Sequence, residues 1–343
     1  MSRGTKDEPQ NVPPNAWLER LQQYRGADLR RSLWELAVTA LPFIGLWILA
    51  WASLSVSVWL TLALTIPAAG FLVRLFMIQH DCGHGTFFRQ RATNDWLGRV
   101  LGVLTLTPYD VWQRSHAVHH ATTGNLDHRG TGDIYTLTVR EYEALSWRDR
   151  LLYRLYRHPL VLFGLGPAHL FLLQHRLPFG YFRSGWRYWV SAMATNAGIA
   201  ALVALIVWLA GIEALLLVHL PIVVLAATIG VWLFYIQHQF EDTHWRQGDD
   251  WNVHEAGLAG SSYYELPGVL RWLTANIGMH HVHHLASRIP FYRLPDVLRD
   301  YPELREVRTI TLLESFKCAR LKLWDEDLKR LITFSEHRQN AIA

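Results

Sequence analysis

Between Leu36 and Val73 the chain runs for 38 residues without a charged side chain. A helix crosses the hydrocarbon core of a bilayer in about 20 residues, so this stretch is long enough to cross twice. Ser53, Ser55 and Ser57 near its middle supply the turn. The pattern recurs: Tyr188 to Ile212 is uncharged, Glu213 interrupts, and Ala214 to Phe240 continues with only His219 and His238 able to carry charge near neutral pH. Four spans are therefore expected, near 33–53, 57–79, 188–210 and 214–237, paired as two helical hairpins in an all-α integral membrane protein.

Half of the residues are hydrophobic, yet the mean hydropathy is only +0.06. Membrane spans carrying a sizeable water-facing part fit both values. No Lys or Arg stands around the two hairpin tips, Ser53 to Ser57 and Ala210 to Ala214, whereas basic residues are dense in the other polar stretches. The positive-inside rule then places both termini in the cytoplasm. Residues 1–31 are polar, contain Pro9, Pro13 and Pro14, and hold no apolar run of a cleavable signal. They are expected to precede a single membrane domain over residues 32–343. The net charge of +4 suits spans flanked by basic residues that face anionic headgroups, and does not call for nucleic acid. Cys82 and Cys318 lie far apart on the expected cytoplasmic side, which argues for reduced thiols and against a disulfide framework.

Three tight clusters of histidine break this apolar background: His80 and His84; His116, His119 and His120; His280, His281, His283 and His284. Residues three and four apart share a helix face, so each cluster can aim its imidazoles at one point. The first cluster begins where the second span ends. Trp96 to Val111 and Pro159 to Leu173 are apolar but short, and read as interfacial segments. With neither crossing, all three clusters fall on the cytoplasmic face, and the fourth span returns there with His238.

Neutral imidazole binds Fe, Zn, Cu or Ni. One tetrahedral zinc takes four ligands at most, so the number of histidines is most simply met by two metals. No Glu stands inside a cluster to make the zinc-protease signature. Two redox metals beside a membrane-embedded apolar cavity suit activation of O2 to attack an unactivated lipid C–H bond, a task in which a cofactor carries the hard chemistry.

The clusters resemble the three histidine boxes of the membrane fatty acid desaturases, H-x(3,4)-H, H-x(2,3)-H-H and H-x(2)-H-H or a close variant. Flanking segments are similar to the bacterial acyl-lipid branch near the omega-6 type: Gly124 to Asp127, Gly132 to Ile134, Gln237 to Thr243, Gly260 to Tyr264 and Ile289 to Pro295. The likeness extends from about Leu33 to Phe334.

What the resemblance implies is a cytoplasmic helical cap over the spans, carrying a non-haem di-iron site held by His80, His84, His116, His119, His120, His280, His283 and His284. His238 matches a further ligand at the end of the fourth span. Some relatives place an Asn four residues earlier, reaching the metal through water; here Phe234 stands there, and Asn276 is a possible substitute. His281 is read as supporting the ligands or as structural, with His244 another supporting candidate. Asp81, Asn125, Asp127, Asp133 and Asp242 are candidates to orient ligand N–H groups. The implied substrate is an acyl lipid, with O2 as co-substrate. No H-P-G-G haem motif is present, since Leu160 follows His158 and Pro159. A separate ferredoxin or cytochrome b5-like donor is therefore implied, in a bacterial cell membrane. A hydroxylase, ketolase or epoxygenase on the same scaffold shares the first oxidising step. A metal transporter would place ionisable residues at mid-membrane depth, and a zinc hydrolase would hold about one zinc.

Overall fold

The computed structural model describes residues 14–130 and 132–340. Residues 1–13, with Pro9 and Pro13 of the polar N-terminal segment, lie outside the described residues. Among the described residues, four helices are long and apolar enough to cross a membrane: Leu29–Ser53, Val58–His84, Trp186–Ala210 and Ile212–His238. Asp28 caps the first by accepting the Arg31 N–H, and Ser57 caps the second. Four residues separate the two at the serine-rich tip, where Ser53 and Thr61 share a hydrogen bond of 2.8 Å. Gly211, at φ +87°, makes the tight turn of the second hairpin, and Leu215–His219 forms a π-helical stretch early in the fourth span.

The helices run past the expected span ends in the direction that matters for the site. Val58–His84 continues through both histidines of the first cluster and stops at Gly85, φ +72°, whose left-handed backbone ends the helix. More of this span is buried than of any other, 56% of its apolar window against 22% for the first and third, so it forms the inner post. The fourth span packs along it and delivers His238 at its own last residue. Large apolar side chains such as Leu41, Trp59, Ile66 and Trp208 face outward, as lipid contact requires.

Trp96 to Val111 is not one element. Arg91–Leu104 is a helix, Leu106 adopts a left-handed backbone at φ +55°, and a new helix, Tyr109–Thr122, carries the second cluster. The third span packs against both helices. Pro159 to Leu173 is a π-helical turn, Val161–Leu165, followed by the short helix Gly166–Leu172. The third cluster sits on the helix His280–Leu285.

Two small sheets add to the helical architecture. Tyr263–Glu265 pairs in parallel with Thr309–Thr311, and Leu321–Asp325 pairs antiparallel with Arg330–Thr333. Buried Arg157 ties the second sheet to the spans: its guanidinium donates to Leu321 O, Gln239 Oε1 and the Tyr235 hydroxyl. At the other end of the chain Trp17 packs edge-on against Tyr301, and the Tyr24 hydroxyl donates to Asp300 at 2.6 Å. One hydrophobic core contains Leu72 and Val223 from the two hairpins together with Leu298 and Trp324 from the C-terminal part.

Candidate metal centre

Nine histidines from four helices converge in two adjacent groups: His80, His84, His116, His120 and His283 in one, and His119, His238, His280 and His284 in the other. Within each group the ring nitrogens lie within 4.8 Å of one another. Helical geometry decides the sorting. In the second cluster the i,i+4 pair His116 and His120 faces the first group, while His119, about 60° from His116 and about 100° from His120 around the helix, faces the second. In the third cluster the pair His280 and His284 faces the second group and His283 turns back to the first. Each of these helices thus contributes to both groups. The His120 and His284 rings stack across the boundary with centroids 4.2 Å apart.

The Nε2 atoms point at one another. His84 and His116 are separated by 3.0 Å, His116 and His120 by 3.1 Å, and His120 and His283 by 3.0 Å. In the second group His238 and His280 stand at 3.0 Å and His280 and His284 at 3.1 Å. With metal–imidazole bonds of about 2.1 Å, two ligands at right angles on one ion stand about 3.0 Å apart. Among the described residues, the Nε2 atoms of His80 and His119 are buried with no protein partner. Burial holds His116, His120, His280, His283 and His284 well below the ordinary imidazole range, with neighbouring rings adding repulsion. Neutral rings are the form that binds metal, so the donor set fits two cations.

Protein groups behind the rings fix their orientation. Nδ1 of His119 meets Asp133 at 2.6 Å, and Nδ1 of His238 donates to the carbonyl of Gly260 at 3.1 Å. His80 Nδ1 stands 3.3 Å from Asp81, whose other oxygen accepts the Phe291 N–H at 2.8 Å. Such partners select the tautomer that leaves Nε2 free.

A sequence model of the family described as fatty acid desaturase matches residues 57–310, which contain all nine histidines. The chain belongs to the fatty acid desaturase family. It is 49% identical over 307 residues to a protein of Bacillus subtilis (strain 168) named fatty acid desaturase, a match covering 90% of this chain and 87% of that one. It is 31% identical over 232 residues, 64% of this chain and 61% of the other, to a Synechocystis protein named sn-1 acyl-lipid omega-3 desaturase (ferredoxin). An Anabaena variabilis protein named sn-1 oleoyl-lipid 12-desaturase is 25% identical over 287 residues, 77% of this chain and 75% of that one.

As desaturation demands, an apolar chamber meets the histidines. A cavity of about 880 Å³ is lined by His80, His116 and His280 at one part and by Leu162, Leu165, Phe171, Val223, Ala226 and Gly230 at others. That size lies within the range of about 300–1,000 Å³ usual for ligand pockets. The Val161–Leu165 turn and the Gly166–Leu172 helix, read from sequence as interfacial, furnish much of its wall. Trp112 lines it too and stacks on His116, centroids 4.7 Å apart at 14°. Trp112 was not anticipated, although its place four residues before His116 on one helix face was a usable signal.

The other candidates make their recorded contacts outside the two groups. Asn125 accepts the Asp127 N–H, and Asp127 accepts the Gly248 N–H at 2.7 Å, so the pair joins two loops. Asp242 pairs with Arg308 at the surface. The Asn276 amide donates to the carbonyl of Phe291 at 3.1 Å. His281 belongs to neither group; it packs on Tyr263, and burial pushes its pKa down to about 4. His244 faces Glu255 at 3.8 Å. Cys82 and Cys318 are both free and buried.

Proposed function

We propose that this desaturase holds two iron ions, one on His80, His84, His116, His120 and His283 and the other on His119, His238, His280 and His284. The observation that carries this reading is the convergence of two sets of neutral, mutually facing Nε2 atoms on one apolar cavity. With O2 and two electrons, iron supplies the power to take hydrogen from an unactivated CH2–CH2 unit, which no side chain can do.

The rest falls to the chain's own residues. Leu162, Phe171 and Val223 hold the acyl chain by apolar contact and exclude water, which protects a reactive centre from side reactions. Asp133, Asp81 and the Gly260 carbonyl keep protons on Nδ1 of His119, His80 and His238. Trp112 fixes the His116 ring at the point where cavity and metal group meet.

The substrate in this reading is an acyl chain on a glycerolipid, in keeping with the relatives named as acyl-lipid desaturases. The histidine end of the spans faces the cytoplasm of a bacterial cell, because no Lys or Arg stands at the hairpin tips. Residues 32–343 act as one membrane domain, supported by the core shared between both hairpins and the C-terminal part. Electrons come from a separate ferredoxin or cytochrome b5-like donor. Exposed Arg89, Arg91 and Arg114 beside the first two clusters offer it a basic surface.

Expression in a host lacking polyunsaturated lipid, with double bonds located by mass spectrometry, tests the function. New alkenes in glycerolipid acyl chains and about two irons per chain are expected. Hydroxy or keto lipids without new alkene, or one zinc and no iron, would sink it.

A further inference from the structure

Beside the His119, His238, His280 and His284 group lies a second, much smaller cavity of about 20 Å³. Polar Thr123, Asn125, Arg129, Asp133, His238 and Gln239 share its lining with apolar side chains such as Leu126 and Trp245. A site needs roughly 10–15 Å³ and two to four polar partners to hold a water molecule; this one has the volume, and polar side chains stand in its lining. Phe234 lines both cavities, as do Asp133 and Ile134. The Phe234 ring stands 5.0 Å from the His119 ring and 5.6 Å from the His238 ring.

Desaturation, on which this inference rests, converts R–CH2–CH2–R′, O2, two electrons and two protons into R–CH=CH–R′ and two waters. Two C–H bonds and the O–O bond break, and one C–C π bond and four O–H bonds form. The electrons come from the protein donor; two of the four hydrogens come from the substrate. The other two protons must arrive from solvent, and the small chamber sets polar side chains directly beside the second metal group. Asp133, with a fifth of its side chain exposed, reaches from solvent to His119 and borders the small chamber.

We propose that the small chamber is a water site that serves proton entry and water exit at the second metal group, and that Phe234 is the partition keeping this water out of the acyl cavity. An open wall would let water reach the centre from the substrate side, and electrons would then reduce O2 to hydrogen peroxide (O2, two electrons and two protons) without forming an alkene. Phe234 is in this role a positioning residue; it donates nothing to the reaction.

The test uses the full-length, iron-loaded protein in lipid nanodiscs. A high-resolution map of the wild type should show one ordered water in the chamber, hydrogen-bonded to its polar walls. In Phe234→Ala, with iron content and melting temperature checked, ordered water should extend into the acyl cavity. Alkene formed per electron pair should fall by about threefold or more, with peroxide making up the difference. Phe234→Leu, which keeps a bulky apolar wall, should restore most of the coupling. Should Phe234→Ala fail to assemble, Ile134→Ala opens the same wall from its other side and answers the question. A dry chamber in the map, or wild-type coupling in a folded wall variant, overturns the proposal. Failure of the wild type to form any alkene would instead count against the desaturase reading, and the map still decides whether the chamber holds water.

Discussion

The Asp133 carboxylate lies 2.6 Å from Nδ1 of His119, and the opposite nitrogen of the same ring is buried with no protein partner among the described residues. The carboxylate therefore determines which nitrogen keeps the proton and frees Nε2 for a metal. Asp133→Ala should weaken metal retention in the second group by about 10- to 100-fold. Asp133→Asn, whose amide oxygen can still accept the proton, should lose less. Iron content after timed exposure to a chelator measures this. Retention equal to the wild type in the alanine variant would show that His119 is oriented by something else.

Gly83 lies between Cys82 and His84 in the first cluster, and space explains its residue type. A Cβ there would stand 2.7 Å from the Trp112 ring, which itself stacks on His116. Gly83→Ala should displace the indole at a cost of about 1–3 kcal/mol, typical of overpacking, and lower occupancy of the first metal group more than the second. Metal stoichiometry with a melting curve reads both effects. A variant with two tightly held metals would show that Trp112 can move without carrying His116.

The nine converging histidines and the four spans were legible in the sequence because both signals are local. Hydropathy over about 20 residues marks a span, and three- or four-residue spacing marks a shared helix face. The division of labour among the histidines was not legible. His119 leaves its neighbours His116 and His120, and His283 leaves His280 and His284, because each of the two helices contributes to both groups, which is tertiary information. Aspartates gave the same lesson: Asp133 and Asp127 look alike in sequence, yet one reaches His119 and the other a loop N–H. The strands Leu321–Asp325 and Arg330–Thr333 went unread because they are short and carry no clean alternation; four successive residues of the first are buried.

Arg74 and Glu35 form a buried ion pair between the first two spans, and each member has different reserves. Without Arg74, Glu35 still has Arg31 at 2.7 Å. Without Glu35, Arg74 keeps Thr39, the Trp272 carbonyl and the faces of the Trp272 and Phe291 rings at 4.0 and 5.2 Å. Breaking a buried pair costs about 3–5 kcal/mol when one charge is left uncompensated. Glu35→Leu should therefore lower the melting temperature in detergent more than Arg74→Met, and the double variant should recover part of the loss. Equal single effects that simply add would mean the two side chains are not energetically coupled.

Lys322 gives a pH dependence whose sign can be worked out. Its Nζ is enclosed and donates to the carbonyls of Arg157 at 2.7 Å and Ala319 at 2.6 Å. Burial, aided by the nearby Arg157 guanidinium, lowers its pKa from 10.5 to about 7. Below that value both folded and unfolded chains carry the proton, and the folded state bears the full cost of a buried charge. Between about 7 and 10.5 the folded chain sheds the proton while the unfolded chain keeps it, so stability rises with pH across this window and levels off above it. Lys322→Met removes the titrating group while keeping most of its apolar stem. The melting temperature of the wild type should climb relative to the variant between pH 7 and 9, with other groups cancelling in the difference. Parallel curves would mean that Lys322 stays protonated in the fold, with its two carbonyl partners offsetting the cost of burial.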